Sequence, residues 1–177
     1  MNLKKSFTTG TDPKFTKNIT NMWDKFLEQV RSNFNFLETE LGFTCKETKL
    51  PFVIYESRKL LVLVYYDANG RHELDLIIKR IGDDPRKSLS VGIGMLIRLR
   101  DEKNTEGYMC PFPATESDLE VEVKHLAELL RKYGADVLNG DLSDFDRIEQ
   151  LERELAKKYG PKTTFSGVSP RSDTKLA

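Results

Sequence analysis

Between Asp67 and Lys79 the chain gathers Asp67, His72, Glu73, Asp75 and Lys79, residue types able to do acid–base or metal chemistry. Nucleases of the restriction-endonuclease type place a carboxylate and then an acid-x-Lys element on adjacent strands, where they hold a divalent metal that activates water. Here the spacing is Glu73-Leu-Asp75-Leu-Ile-Ile-Lys79, so the acid-x-Lys element is missing. Charges alternating with apolar side chains on a solvated sheet face account for the same residues.

Other chemical readings are weaker. The run N-G-D-L-S-D-F-D, ending at Asp146, is acidic but lacks the order of a calcium loop. Ser143 capping a helix, with Asp144 and Asp146 in its first turn, explains it. His72 and His125 have no serine or cysteine nucleophile at a readable spacing, and a surface role suits both. Gly92 and Gly94 give G-x-G without a third glycine or a G-K-[ST] element, so they do not make a phosphate loop. Cys110 precedes Pro111 with nothing beside it to activate a thiol, and reads as a small buried hydrophobe.

The totals narrow the classes further. Lysine plus arginine and aspartate plus glutamate each number 28 in 177 residues, so the formal charge is zero and a polyanion is not the default partner. The length suits one domain with a real core. The two cysteines, Cys45 and Cys110, form no C-x-x-C and read as reduced thiols. The N-terminus lacks an apolar signal region, and no run of 18 apolar residues exists, which points to the cytoplasm and to no membrane partner.

The elements that must position the acidic stretch follow from periodicity. Residues 1–18 read as a flexible arm. Trp23, Phe26, Leu27, Val30, Phe34, Leu37 and Leu41 recur at helical spacing, and Gly42 stands as a C′ glycine, which predicts one long amphipathic helix. Phe43 to Thr48 and Phe52 to Glu56 read as strands, with Pro51 between them at an edge. Then K-L-L-V-L-V-Y-Y and E-L-D-L-I-I-K-R flank Asn69-Gly70, a strong hairpin signal.

With Asn69 and Gly70 as the two turn residues, Tyr65 faces Leu74, Leu63 faces Leu76 and Leu61 faces Ile78. That side is wholly apolar and is expected to lie beneath the first helix. The reverse side pairs Tyr66 with Glu73, Val64 with Asp75, Val62 with Ile77 and Leu60 with Lys79. A four-residue loop preserves these faces and an odd shift scatters them, so an even register is expected.

Leu89 to Leu99 fits either a strand or a helix. Ser117 to Glu120 forms a capping box that opens a helix on Leu119, Val123, Leu126, Leu130 and Tyr133, which Gly134 closes. Ser143 opens a last helix that ends at Gly160-Pro161. Residues 162–177 are expected to be disordered.

The segments L-G-F at 41–43, Y-E-S at 55–57, L-V-L-V-Y-Y-D at 61–67 and E-L-D-L-I-I-K-R at 73–80 form one set of structural motifs. L-A-E-L-L-R-K-Y-G at 126–134 and L-N-G-D at 138–141 complete it. This layout, from Trp23 to Tyr159, resembles small bacterial proteins of the immunity-protein type, which neutralise toxins. The resemblance implies a short helix after the hairpin, although G-I-G-M at 92–95 departs from a good helix former. It supplies no catalytic residue.

The sequence thus predicts an α+β domain over 19–161: an antiparallel meander of three or four strands against a long N-terminal helix and C-terminal helices. Its function reads as non-enzymatic protein binding, with self-association as a variant and no cofactor. The candidate partner surface is the reverse side of the hairpin, with Tyr66, Glu73, Asp75 and Lys79 among Leu60, Val62, Val64 and Ile77. Burial of that side under the C-terminal helices is the competing reading. The alternative function is a metal-dependent hydrolase or nuclease using Glu73 and Asp75.

Overall fold

In the computed structural model, residues 13–82, 90–101, 103 and 108–159 are described. α1 (Pro13–Asn33) and α2 (Phe36–Thr39) lead into strands β1 (Thr44–Lys49), β2 (Phe52–Glu56), β3 (Leu60–Tyr66), β4 (Leu74–Arg80) and β5 (Ser90–Gly92). Helices α3 (Ile93–Arg100), α4 (Glu116–Tyr133), α5 (Ala135–Leu138) and α6 (Ser143–Tyr159) follow. The strands form one antiparallel sheet in chain order, so the expected α+β meander is present with five strands.

The first helical stretch differs from the expectation at both ends. It begins at Pro13, inside the region read as an arm, and it breaks at Asn33–Asn35. Asn33 explains the break, because its side-chain amide donates to the Gln29 carbonyl at 2.8 Å and competes with the backbone ladder. Gly42 takes the left-handed conformation expected of a C′ residue, with φ of 69°. The ambiguous stretch resolves into both alternatives, three residues of β5 and then α3. Residues 162–177 lie outside the described residues.

Capping at α4 sits two residues upstream of the expected box. Thr115 accepts from the Asp118 N–H at 3.1 Å, while its hydroxyl donates to the Asp118 carboxylate at 2.7 Å. At α6 the Asp141 carboxylate accepts from the Ser143 N–H at 3.0 Å, and this bond holds Asp141 below the usual carboxylate range. Asp144 does more than occupy a first turn. It is buried and ion-paired to Arg100 of α3, so it ties α6 to α3.

The hairpin register is the main correction. Val62 pairs with Ile78, Val64 with Leu76 and Tyr66 with Leu74, an odd shift from the even register. The inner face of β4 is as expected, since Leu74, Leu76 and Ile78 are fully buried. On β3 the faces are exchanged: Leu60, Val62, Val64 and Tyr66 point inward. Leu61, Leu63 and Tyr65, expected beneath the first helix, lie on the opposite side of the sheet.

The cause is the loop. Neither Asn69 nor Gly70 has positive φ; the left-handed residue is His72, at 57°. The Asp67 carboxylate accepts from the Asn69 N–H at 3.2 Å and the Arg71 N–H at 2.9 Å. A Cβ on Gly70 would come within 2.6 Å of that carboxylate, so a larger residue there would push the Asp67 side chain aside. A wider turn closed by one left-handed residue adds the bulge that changes register parity.

One core lies between the inner face and the helices. Phe26 of α1 packs on Tyr66 and Phe34 stacks on Tyr55, with ring centroids 5.4 and 6.5 Å apart. α4 packs along α1, and its Leu119, Val123, Leu126 and Leu130 join the same cluster as Ile93 and Leu96 of α3. Phe145 and Ile148 of α6 complete it.

Candidate functional site: the outer face of the sheet

Alternation along each strand sends a second set of side chains away from that core. Phe52, Ile54 and Glu56 of β2, Leu61, Leu63 and Tyr65 of β3, and Asp75, Ile77 and Lys79 of β4 share the outer face. Among the described residues, none of its six apolar side chains belongs to the core cluster or packs against it, and the helix residues of that cluster serve the inner face. The outer side chains are nevertheless half-buried by one another. Leu63, in the middle, is only 9 % exposed, and Phe52 and Tyr65 face each other with ring centroids 5.2 Å apart.

One corner of this face is polar. The Leu74 N–H donates to the Pro111 carbonyl at 3.0 Å, which draws residues 108–113 alongside the start of β4. Asp75 is thereby walled in. Its carboxylate accepts from the Leu76 N–H at 2.7 Å and from the Cys110 thiol, yet burial still raises its pKa above the ordinary carboxylate range. Burial first, and then the Asp75 charge, push the Cys110 thiol up to about 11, so at neutral pH it is a protonated thiol and a poor nucleophile.

A crevice of about 370 Å³ opens beside Asp75, lined also by Gly94, Met95, Arg98, Tyr108 and Cys110. Gly94 is there for packing, since a Cβ would lie 2.9 Å from the Tyr108 ring. Gly94 of the G-x-G pair is therefore a contact surface for an aromatic ring, while Gly92 lies against the Leu76 carbonyl.

The four residues expected to form the partner surface do not stay together. Asp75 and Lys79 lie on the outer face, as expected. Glu73 stands in the loop before β4, where its carbonyl accepts from the Asp67 N–H at 3.0 Å. Tyr66 is turned inward and fully buried. Its hydroxyl donates to the Pro113 carbonyl at 3.2 Å and lies 3.0 Å from His72 Nδ1, and burial pushes its pKa up to about 12. Tyr66 therefore fastens the loop and the 108–113 segment to β3, a structural role. Leu60, Val62 and Val64, also placed on the partner surface by sequence, are core.

The tyrosine of the outer face is Tyr65, and Phe52, Ile54, Leu61 and Leu63 are the residues that sequence reasoning missed. Their types were visible; their phase was not, because β3 is apolar at every position. No protein-family model, curated protein or solved structure matches this chain. Geometry alone must then carry the functional reading. Among the described residues no three His, Cys, Asp or Glu side chains gather around a point that could hold a metal ion. No described helix is long and apolar enough to cross a membrane.

Proposed function

We propose that the chain is a cytoplasmic, non-enzymatic protein-binding domain that occupies its partner stoichiometrically, in the manner of immunity or adaptor proteins. The observation that carries this reading is the outer sheet face, an apolar centre rimmed by Glu56, Asp75 and Lys79 and covered by none of the described helices. Contiguous apolar surface with a charged rim is what recognition surfaces present, and aromatic residues such as Phe52 and Tyr65 are enriched at their centres. The two free cysteines accord with a reducing compartment.

The test is retention of a stoichiometric partner from the source cell on the immobilised full chain. The partner is expected to be lost with Leu63→Asp and weakened with Lys79→Glu. Retention of the same proteins by all three overturns the assignment to this face. The hydrolase reading is tested separately by titrating a divalent metal into the chain in a calorimeter. Micromolar binding abolished by Asp75→Asn would support it against the binding-domain reading.

A further inference from the structure

The outer face has a symmetry that bears on which protein it takes. β3 runs down its middle, with β2 on one flank and β4 on the other. The register sets Phe52, Tyr65 and Asp75 in one row, Ile54, Leu63 and Ile77 in the next, and Glu56, Leu61 and Lys79 in the third. The third row therefore carries a carboxylate on one flank and an ammonium on the other. Strands stand about 4.8 Å apart, so two strand spacings keep these charges from meeting within the chain. Among the described residues neither Glu56 nor Lys79 has an ion-pair partner.

We infer that this face binds a second copy of the same chain, the two sheets stacking about a twofold axis that runs along β3. This inference rests on the reading of the face as a protein-docking surface and names the occupant. Rotation about that axis keeps each row in place and exchanges β2 with β4. Glu56 of each copy then lies over Lys79 of the other, so both charges that lack a partner among the described residues gain one. Leu63 meets its own counterpart on the axis, and Ile54 meets Ile77. The contact is isologous, and stacked sheets with aligned strands are an ordinary packing mode, about 10 Å apart.

The alternative twofold, running across the strands, would set Lys79 over Asp75. Asp75 is already engaged by the Leu76 N–H and walled by Tyr108 and Cys110. The axis along β3 lays the Phe52 ring of the other copy over that corner instead of a second charge, and pairs the two side chains that have no ion-pair partner among the described residues.

Size sets the strength. Three rows spaced about 6.8 Å, taken across all five strands of the sheet at about 4.8 Å, give a footprint of roughly 500 Å² per copy. A total near 1,000 Å² lies at the low end for specific association, so the dimer is concentration-dependent, with a dissociation constant of roughly micromolar order.

Sedimentation equilibrium of the full chain from about 1 to 300 µM reads this directly. The wild type is expected to pass from monomer to dimer. Glu56→Lys alone and Lys79→Glu alone each place like charges together twice, and each is expected to weaken the dimer at least tenfold. Mixed one to one, the two variants regain opposite charges at both contacts and are expected to form a heterodimer. Circular dichroism of each variant confirms that it is folded.

A wild type that stays monomeric throughout overturns the inference, and leaves the docking reading standing if Leu63→Asp still releases a different partner. A dimer indifferent to both charge reversals, or a mixture that does not recover, also overturns it, because another surface or axis is then in use. A dimer unaffected by Leu63→Asp as well removes the outer face from both readings.

Discussion

The two faces of the sheet are built from the same residue types and end in different states. The inner face buries Tyr55, Val62, Val64, Tyr66, Leu74, Leu76 and Ile78 essentially completely beneath α1, α3 and α4. The outer face carries Phe52, Ile54, Leu61, Leu63, Tyr65 and Ile77, none of which joins the core cluster or packs against it. Apolar composition therefore does not tell core from surface in this protein. What separates the faces is which one the helices can reach.

The largest test of that contrast sets neighbours on β4 against each other. Leu76→Ala empties space inside the core and is expected to cost about 2–5 kcal/mol in urea unfolding. Ile77→Ala, one residue along and on the other face, is expected to cost about 1 kcal/mol or less, because water already reaches that side chain. Equal losses would mean that the outer face is packed as tightly as the core.

A smaller effect is expected where the faces are chosen. Asp67→Ala removes the carboxylate that accepts from the Asn69 and Arg71 N–H groups, at an expected cost of about 1–3 kcal/mol. If the Asp67-anchored loop sets the register, amide exchange in the 67–73 loop and at the adjoining ends of β3 and β4 should quicken in this variant while α4 stays protected. Unchanged exchange there would show that strand packing sets the register without the loop.

The smallest effect has the opposite sign. Burial raises the Asp75 pKa, so the folded state holds that proton more tightly than the unfolded chain. Its contribution therefore weakens stability as pH rises from the ordinary carboxylate range through the raised value, and the penalty is absent below that range. Asp75→Asn is expected to be more stable than wild type at pH 7 by up to about 1 kcal/mol, with the gap closing on acidification. Thermal unfolding at several pH values checks this; a variant less stable at pH 7 would show that the Asp75 hydrogen bonds outweigh its desolvation.

Much of the architecture could be read from local pattern. The stripes Phe26–Val30–Phe34 and Leu119–Val123–Leu126–Leu130 were legible because a helix exposes its opposite face to water, and charged residues there fix the phase. β4 was legible for the same reason: Asp75 and Lys79 mark the side that Leu74, Leu76 and Ile78 do not occupy. The candidate site was legible only in part. Asp75 and Lys79 were placed correctly, Tyr66 was assigned to the surface and Tyr65 to the core, and both tyrosines are the other way round.

By itself, then, the sequence determined an antiparallel α+β meander, its helix stripes and the inward side of β4, wherever polar residues break the apolar pattern and give it a phase. Only the tertiary structure decided which side of Leu60–Tyr66 meets the helices. That strand is apolar at every position and fits either way, so the choice falls to the turn: Asp67 bonding two amides and His72 in the left-handed region change the register by one residue. With period 2, one residue is enough to exchange the faces.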